Sequence, residues 1–326
     1  MKKHAYLLLI IFISSCGSSV NRGNDKAVEH TCTSLFSDPH FQNGFNILSV
    51  KEGNGEIQGV FDYQGKAGGS PTWRIAQWNN YNNDLLNAQY SDEDGVHTYR
   101  TANGNVVSVD SNTGSLKLGI NTSTEYGKNG ITSNPRKNGE SWPHLLIEYV
   151  LGDKEILKIS DKKEVRMNIA YNITDFKDRM PDGTTDKGLH TAQFQWYVTV
   201  QNRTQGSEDY GQYIWFGLSF FDVRYEIPPA YAAEDGGKEH NTGAFIYVPD
   251  MREILVDGKT EIGKDMLVDV DILPMIRSAF KLAQERNYLK NTTWDDLYIT
   301  TSNIGWEVPG TYDATVRIDS LNIRYK

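Results

Sequence analysis

The pattern that most constrains this chain is a two-residue beat. From about residue 41 onward, short segments alternate polar and apolar side chains with period two. Turn pairs such as Asn103-Gly104, Asn129-Gly130, Asp182-Gly183 and Asp257-Gly258 separate them. Period two is the repeat of a strand with one face buried. With no internal repeat and no linker, the pattern predicts a single all-β domain over 41–326. Asp257-Gly258, between Ile254-Leu255-Val256 and Lys259-Thr260-Glu261-Ile262, predicts a hairpin.

Two segments set the architecture. In 193–201, Phe194, Trp196, Val198 and Val200 form an apolar face, and Gln193, Gln195, Tyr197, Thr199 and Gln201 a polar, uncharged one. In 213–221, Ile214, Phe216, Leu218 and Phe220 alternate with Tyr213, Trp215, Gly217, Ser219 and Phe221, so both faces need cover and the second suits the floor of a cleft. In 144–150, Glu148 shares a side with His144 and Leu146. In the closing segment 315–324 the apolar phase slips across Asp319-Ser320, which predicts a bulge. One amphipathic helix stands out at about 271–287, with Asp271 as cap, Pro274 in its first turn, and Ile272, Ile276, Ala279, Phe280 and Ala283 on one side. The predicted fold is a two-sheet antiparallel jelly-roll sandwich, with this helix packed outside and one sheet curved over a groove.

The chain begins differently. Lys2 and Lys3 precede an apolar run, Tyr6 to Ile13, too short to span a bilayer. The run ends in Ile13-Ser14-Ser15-Cys16-Gly17, which resembles the bacterial lipobox. That resemblance implies a signal peptide over 1–15, acylation of Cys16, and a flexible tether over 16–40. The expected location is the bacterial cell envelope, anchored through lipid to a membrane, at the outer membrane or cell surface. The chain has two cysteines, so acylation at Cys16 leaves Cys32 unpaired and allows no Cys-based metal site. Net charge is −9 without a basic block, which argues against nucleic acid as a partner and favours a neutral or cationic ligand.

Aromatic content bears on the ligand. Seven Trp, eighteen Tyr and twelve Phe accompany many Asn and Gly residues, and a sugar-binding surface needs aromatic faces beside amides. Trp73 and Trp78 have opposite parity, so at most one faces the core of a regular strand. Trp73, Trp78, Trp142, Gln195, Tyr197, Trp215 and Trp306 are candidate ligand contacts. Asp222 and Arg224 join them as a pair able to clamp a hydroxyl. Asp92 to Asp94, within Ser91-Asp92-Glu93-Asp94-Gly95, reads as an acidic surface turn or a structural calcium loop, without the spacing of an EF-hand. There is no HExxH, nucleophile elbow, phosphate loop or dinucleotide fingerprint, so no cofactor is expected.

Leu297 to Gly310 and then Thr315 to Ile323 carry a second resemblance. The ending Val-Arg-Ile-Asp-Ser-Leu-Asn-Ile resembles the closing strand of jelly-roll carbohydrate-binding modules. The helix followed by a strand into Gly305-Trp306-Glu307 resembles the end of jelly-roll (concanavalin-like) endoglucanases. The likeness covers about the last 60 residues and implies Glu307 as acid/base, with Glu148 the best candidate for the second carboxylate. Glu148 is followed by Tyr149-Val150-Leu151, where the endoglucanase nucleophile is followed by Met-x-Trp. The expectation is a glycan-binding protein. Its alternatives are a retaining glycoside hydrolase or polysaccharide lyase on the same scaffold, and a structural or adhesion lipoprotein.

Overall fold

The computed structural model describes residues 32–53, 55–127, 133–236, 240–256 and 258–326. The leader, Cys16, the Asn129-Gly130 turn and Asp257 lie outside them. The chain enters through β1 (Thr33–Ser34), β2 (Phe45–Leu48), β3 (Ile57–Phe61) and β4 (Trp73–Ala76). A meander follows in β5 (Gln89–Glu93), β6 (Val96–Arg100), β7 (Val106–Asp110) and β8 (Ser115–Asn121). Next come β9 (His144–Val150), β10 (Leu157–Lys158), β11 (Val165–Asp178), β12 (Gln193–Asn202) and β13 (Tyr213–Asp222). The last elements are β14 (Tyr231–Glu234), β15 (Phe245–Val248), β16 (Met266–Asp271), helix α1 (Leu273–Glu285), β17 (Leu297–Glu307) and β18 (Tyr312–Tyr325).

These strands form two sheets. An eight-stranded sheet runs β16-β11-β18-β8-β7-β6-β5, with β1 also on β18. A ten-stranded sheet runs β14-β15-β13-β12-β17-β9-β4-β2-β3, with β10 also on β17. Pairing is antiparallel except for β13 with β15 and β2 with β4. The expected jelly-roll sandwich is the fold, with that parallel admixture.

The alternating residues explain why the sheets stack. Phe194, Trp196, Val198 and Val200 of β12 are fully buried, as are Val165, Met167, Ile169, Tyr171 and Ile173 of β11. Tyr171 of one sheet meets Phe194 of the other with ring centroids 5.5 Å apart. The slip in the closing strand is a bulge: Ala170 pairs with Ser320 and Tyr171 with Ile318, skipping Asp319. Leu321 and Ile323 are thereby kept in the core with Val316 and Ile318. Helix α1 buries Leu273, Ile276, Ala279, Phe280 and Ala283 against this core, and the Asp271 carboxylate accepts the Leu273 N–H at 3.1 Å. The Asp94-Gly95 pair, with positive φ at both positions, turns the β5–β6 hairpin. Asp92 accepts there from Gly95 N–H and from Lys66. Among the described residues no three His, Cys, Asp or Glu side chains group as a metal site.

Three expectations are corrected. The flanks of Asp257-Gly258 form no paired strands among the described residues. Ile254 and Leu255 are consecutive core residues rather than an alternating pair. Thr260 beyond them donates to the Phe220 carbonyl, and no strand begins before Met266. The folded unit also starts earlier than residue 41. β1 pairs with β18, the Leu35 N–H reaches the Ile323 carbonyl at 2.7 Å, and Phe36 packs on Trp73. Finally, Cys32 is disulfide-bonded rather than unpaired.

Candidate functional site

The outer face of the ten-stranded sheet carries a cleft of about 570 Å³. Its floor is the polar face of β12 and the residues that the register sets beside it. One rung reads Asp222, Gln193, Glu307, His144 across β13, β12, β17 and β9. A second reads Ser219, Gln195, Gly305, Leu146, and a third Gly217, Tyr197, Asn303, Glu148. Trp78, Trp142 and Trp215 rise around this floor.

Two glycines shape it. A Cβ on Gly217 would lie 2.2 Å from the Tyr197 ring, so the ring lies across β13 where only a glycine leaves room. From there the Tyr197 hydroxyl donates to Gln195 Oε1 at 2.7 Å. Gly305, at φ 152°, brings β17 so close to β9 that a Cβ would meet the Leu145 carbonyl oxygen at 2.2 Å. Burial, followed by the carboxylates and tyrosine around it with Glu307 foremost, holds the Tyr197 phenol well above its usual range.

Asp222 reaches the cleft because β13 bulges. Phe194 pairs with Phe221 and Gln195 with Ser219, so Phe220 is skipped and the alternation reverses. Phe221 then packs inward against Trp306 and Phe176, and Asp222 turns to the floor. The buried Asp222 carboxylate accepts from Thr191 Oγ1 (2.7 Å), Gln193 Nε2 (2.9 Å) and the Arg224 N–H (3.0 Å). The Arg224 guanidinium grips it with two prongs, Nε at 2.9 Å and Nη2 at 2.5 Å. Burial opposes charge on Arg224, yet Asp222 outweighs it and holds the guanidinium pKa above its ordinary value. With its oxygens engaged by Thr191, Gln193 and Arg224, Asp222 is held in place and acts as a positioning group.

Glu307 is held differently. His144 lies buried behind it, with Nδ1 2.8 Å from the Trp142 carbonyl and Nε2 3.5 Å from Glu307 Oε2. A carbonyl only accepts, so Nδ1 carries a hydrogen there and Nε2 is the ring atom that faces Glu307. Trp142 Nε1 approaches the same oxygen at 3.4 Å, and the Trp142 ring stacks near His144 on one contact and Arg136 on another. Arg136 is buried with its donors on the Glu140, Leu189 and Pro309 carbonyls, and burial lowers its pKa.

The structure therefore gathers Trp78, Trp142, Gln195, Tyr197, Trp215, Asp222, Arg224 and Glu307 into one cleft. Trp73 and Trp306 are not there. Both are fully buried in the core, Trp73 donating to the Asp38 carbonyl at 2.7 Å and Trp306 to the Leu118 carbonyl at 3.2 Å. Parity decides each case: Trp73 faces inward so that Trp78 can face the cleft, and Trp306 faces inward because Glu307 faces out. The proposed carboxylate pair also fails. Glu148 sits opposite Asn303, four residues along β17 from Glu307, which is about 13 Å of strand rather than the 5–5.5 Å of a retaining pair. It points to Arg74 Nε at 2.8 Å, and burial raises its pKa despite that cation. Sequence reasoning missed His144, Arg136 and Asn303 as cleft residues. His144 was findable from its shared parity with Glu148, whereas Arg136 lies in a loop with no periodic signal.

No protein-family model and no curated protein matches the chain. Among solved structures it is similar to a ligand-bound family 12 xyloglucanase from Bacillus licheniformis, with 10% identity and TM-score 0.41 over 77% of this chain and 99% of that one. It is also similar to a thermostable cellulase derived from that of Rhodothermus marinus, with 10% identity and TM-score 0.39 over 78% and 100%. A family 11 xylanase from Neocallimastix patriciarum follows at 10% identity and TM-score 0.35 over 77% and 100%. Likeness at this level carries no argument about activity, which rests on the residues of the cleft.

Proposed function

We propose that this protein binds a polysaccharide or oligosaccharide in the cleft of its ten-stranded sheet. One observation carries the reading: a floor of neutral amides and hydroxyls (Gln193, Gln195, Asn303, Ser219, Tyr197) is flanked by three tryptophans in one cavity. Pyranose rings offer C–H faces to such rings and hydroxyls to such amides. One charge on this floor is matched within the protein, Asp222 by Arg224, and Glu307 lies against His144. Catalysis is the second reading, favoured by Glu307 beside His144, a couple able to pass one proton to or from a ligand in the cleft. The lipobox at Cys16 supports a place in the cell envelope, tethered to a membrane.

The test is a glycan array and affinity electrophoresis on the purified full-length protein in detergent, with reducing-sugar release and unsaturated-product absorbance followed in parallel. Binding without release retires the catalytic reading for the glycans bound. Trp215→Ala should weaken binding about five- to tenfold while the protein stays folded. Trp73→Ala should instead cost about 3–5 kcal/mol of stability by opening the core. Equal affinity of Trp215→Ala and wild type would remove the cleft from the recognition surface.

A further inference from the structure

A second recess, of about 330 Å³, opens on the same sheet face and shares Trp215 and Asn303 with the cleft as its boundary. Two guanidinium groups line it, Arg74 from β4 and Arg203 just past the end of β12. Neither is fully used. Arg74 commits Nε to Glu148, and its two terminal nitrogens have no hydrogen-bond partner among the described residues. Arg203 gives one terminal nitrogen to Asp153 at 2.8 Å, a carboxylate whose side chain is 88% exposed. Arg203 Nε is buried with no acceptor. A buried donor on a charged group without an acceptor is costly, so this recess holds a guanidinium whose donors are under-used among the described residues.

The two carboxylates nearby do not remove that need. An exposed bridge such as Arg203–Asp153 contributes little, so a ligand oxyanion can take the place of Asp153 at small cost. Glu148 is buried, and burial favours its neutral form, which weakens it as the counter-charge of Arg74. The adjoining cleft differs, since its Asp222 already fills the Arg224 fork.

We propose that the recess is a subsite for an oxyanion substituent, a uronate carboxylate or a sulfate ester, carried by the glycan that lies in the adjoining cleft. The planar fork of a guanidinium matches two oxygens of either group. This assignment rests on the glycan reading above and narrows it to acidic glycans, against the neutral or cationic ligand suggested by net charge. That net charge of −9 acts at long range and is screened at about 0.15 M salt, where the Debye length is about 8 Å.

Matched pairs of glycans test it at that salt, using full-length protein in detergent and titration calorimetry. One pair is homogalacturonan with and without its methyl esters; the other is dextran sulfate and dextran. The acidic member of at least one pair should bind about tenfold more tightly than its neutral partner, and the responding pair tells carboxylate from sulfate. Arg203→Gln should erase that preference and leave the neutral member's affinity unchanged. Arg74→Gln alone would strand a buried carboxylate, so it is paired with Glu148→Gln in a double variant, for which the same loss is expected. Neutral and acidic members bound equally, or a preference kept by both variants, overturns the subsite while the glycan reading stands. Absence of binding to these glycans and across a neutral oligosaccharide array overturns both.

Discussion

Glu148 shows how a single carboxyl can belong to the candidate site and still weigh against stability. Burial raises its pKa, and Arg74 and His144 only offset part of that rise. A group whose folded pKa lies above its unfolded value, near 4.5, binds protons more tightly when folded. Its contribution to stability is then full below pH 4.5 and lost as pH rises through the folded value. Glu125 acts in the same direction because it too is buried, while Glu164, held down by Lys326 and Arg166 against the opposing effect of burial, acts in the opposite one. The whole-protein pH profile therefore mixes signs, and a difference isolates one residue. Glu148→Gln keeps an oxygen for Arg74 Nε, and Arg74 is a third exposed and stays hydrated. The variant should gain stability over wild type as pH rises from about 4.5 toward 7, read from urea midpoints at several pH values. A difference that does not change with pH would show that Glu148 ionises in the fold as it does unfolded.

At the scale of strands, the cleft depends on β12 and β13 being fitted through a glycine and a bulge. Gly217→Ala places a methyl 2.2 Å from the Tyr197 ring, between strands that cannot separate. Overpacking of this kind costs about 1–3 kcal/mol, and the displaced ring would take its hydroxyl away from Gln195. The variant should lose stability in denaturant and glycan affinity together; wild-type behaviour in both would mean that the ring has another resting place. The same two strands mark where sequence reading succeeds and stops. The face of Gln193, Gln195 and Tyr197 is legible because every neighbour is apolar, and the bulge at Asp319 is legible because a polar pair interrupts an apolar phase. The bulge at Phe220 is silent, because Phe220 and Phe221 are both apolar and either fits the core. Asp222 thus reaches the cleft by a route that parity alone denies. The separation of Glu148 from Glu307 was equally hidden. Both lie on the outer face, but how far apart depends on the register of β9 against β17, which no local pattern records.

For the whole molecule, the question is what holds the chain together and what holds it in place. One core spans both sheets, from Phe36 beside β1 to Ile323 in β18. Cys32 lies just before β1, so a bridge between the two cysteines of the sequence would close a loop upstream of the sandwich and cross-link none of its strands. Reductant should therefore leave the melting temperature unchanged. Membrane attachment is tested at Cys16 itself. Under the lipobox reading, bacterially expressed protein partitions with the membrane and its first peptide begins at a diacylglyceryl Cys16. Cys16→Ser then releases the protein into the soluble fraction. Mass spectrometry of the first tryptic peptides reads all of this in one experiment. An unacylated chain in the soluble fraction would refute the anchor and leave the glycan reading of the cleft standing.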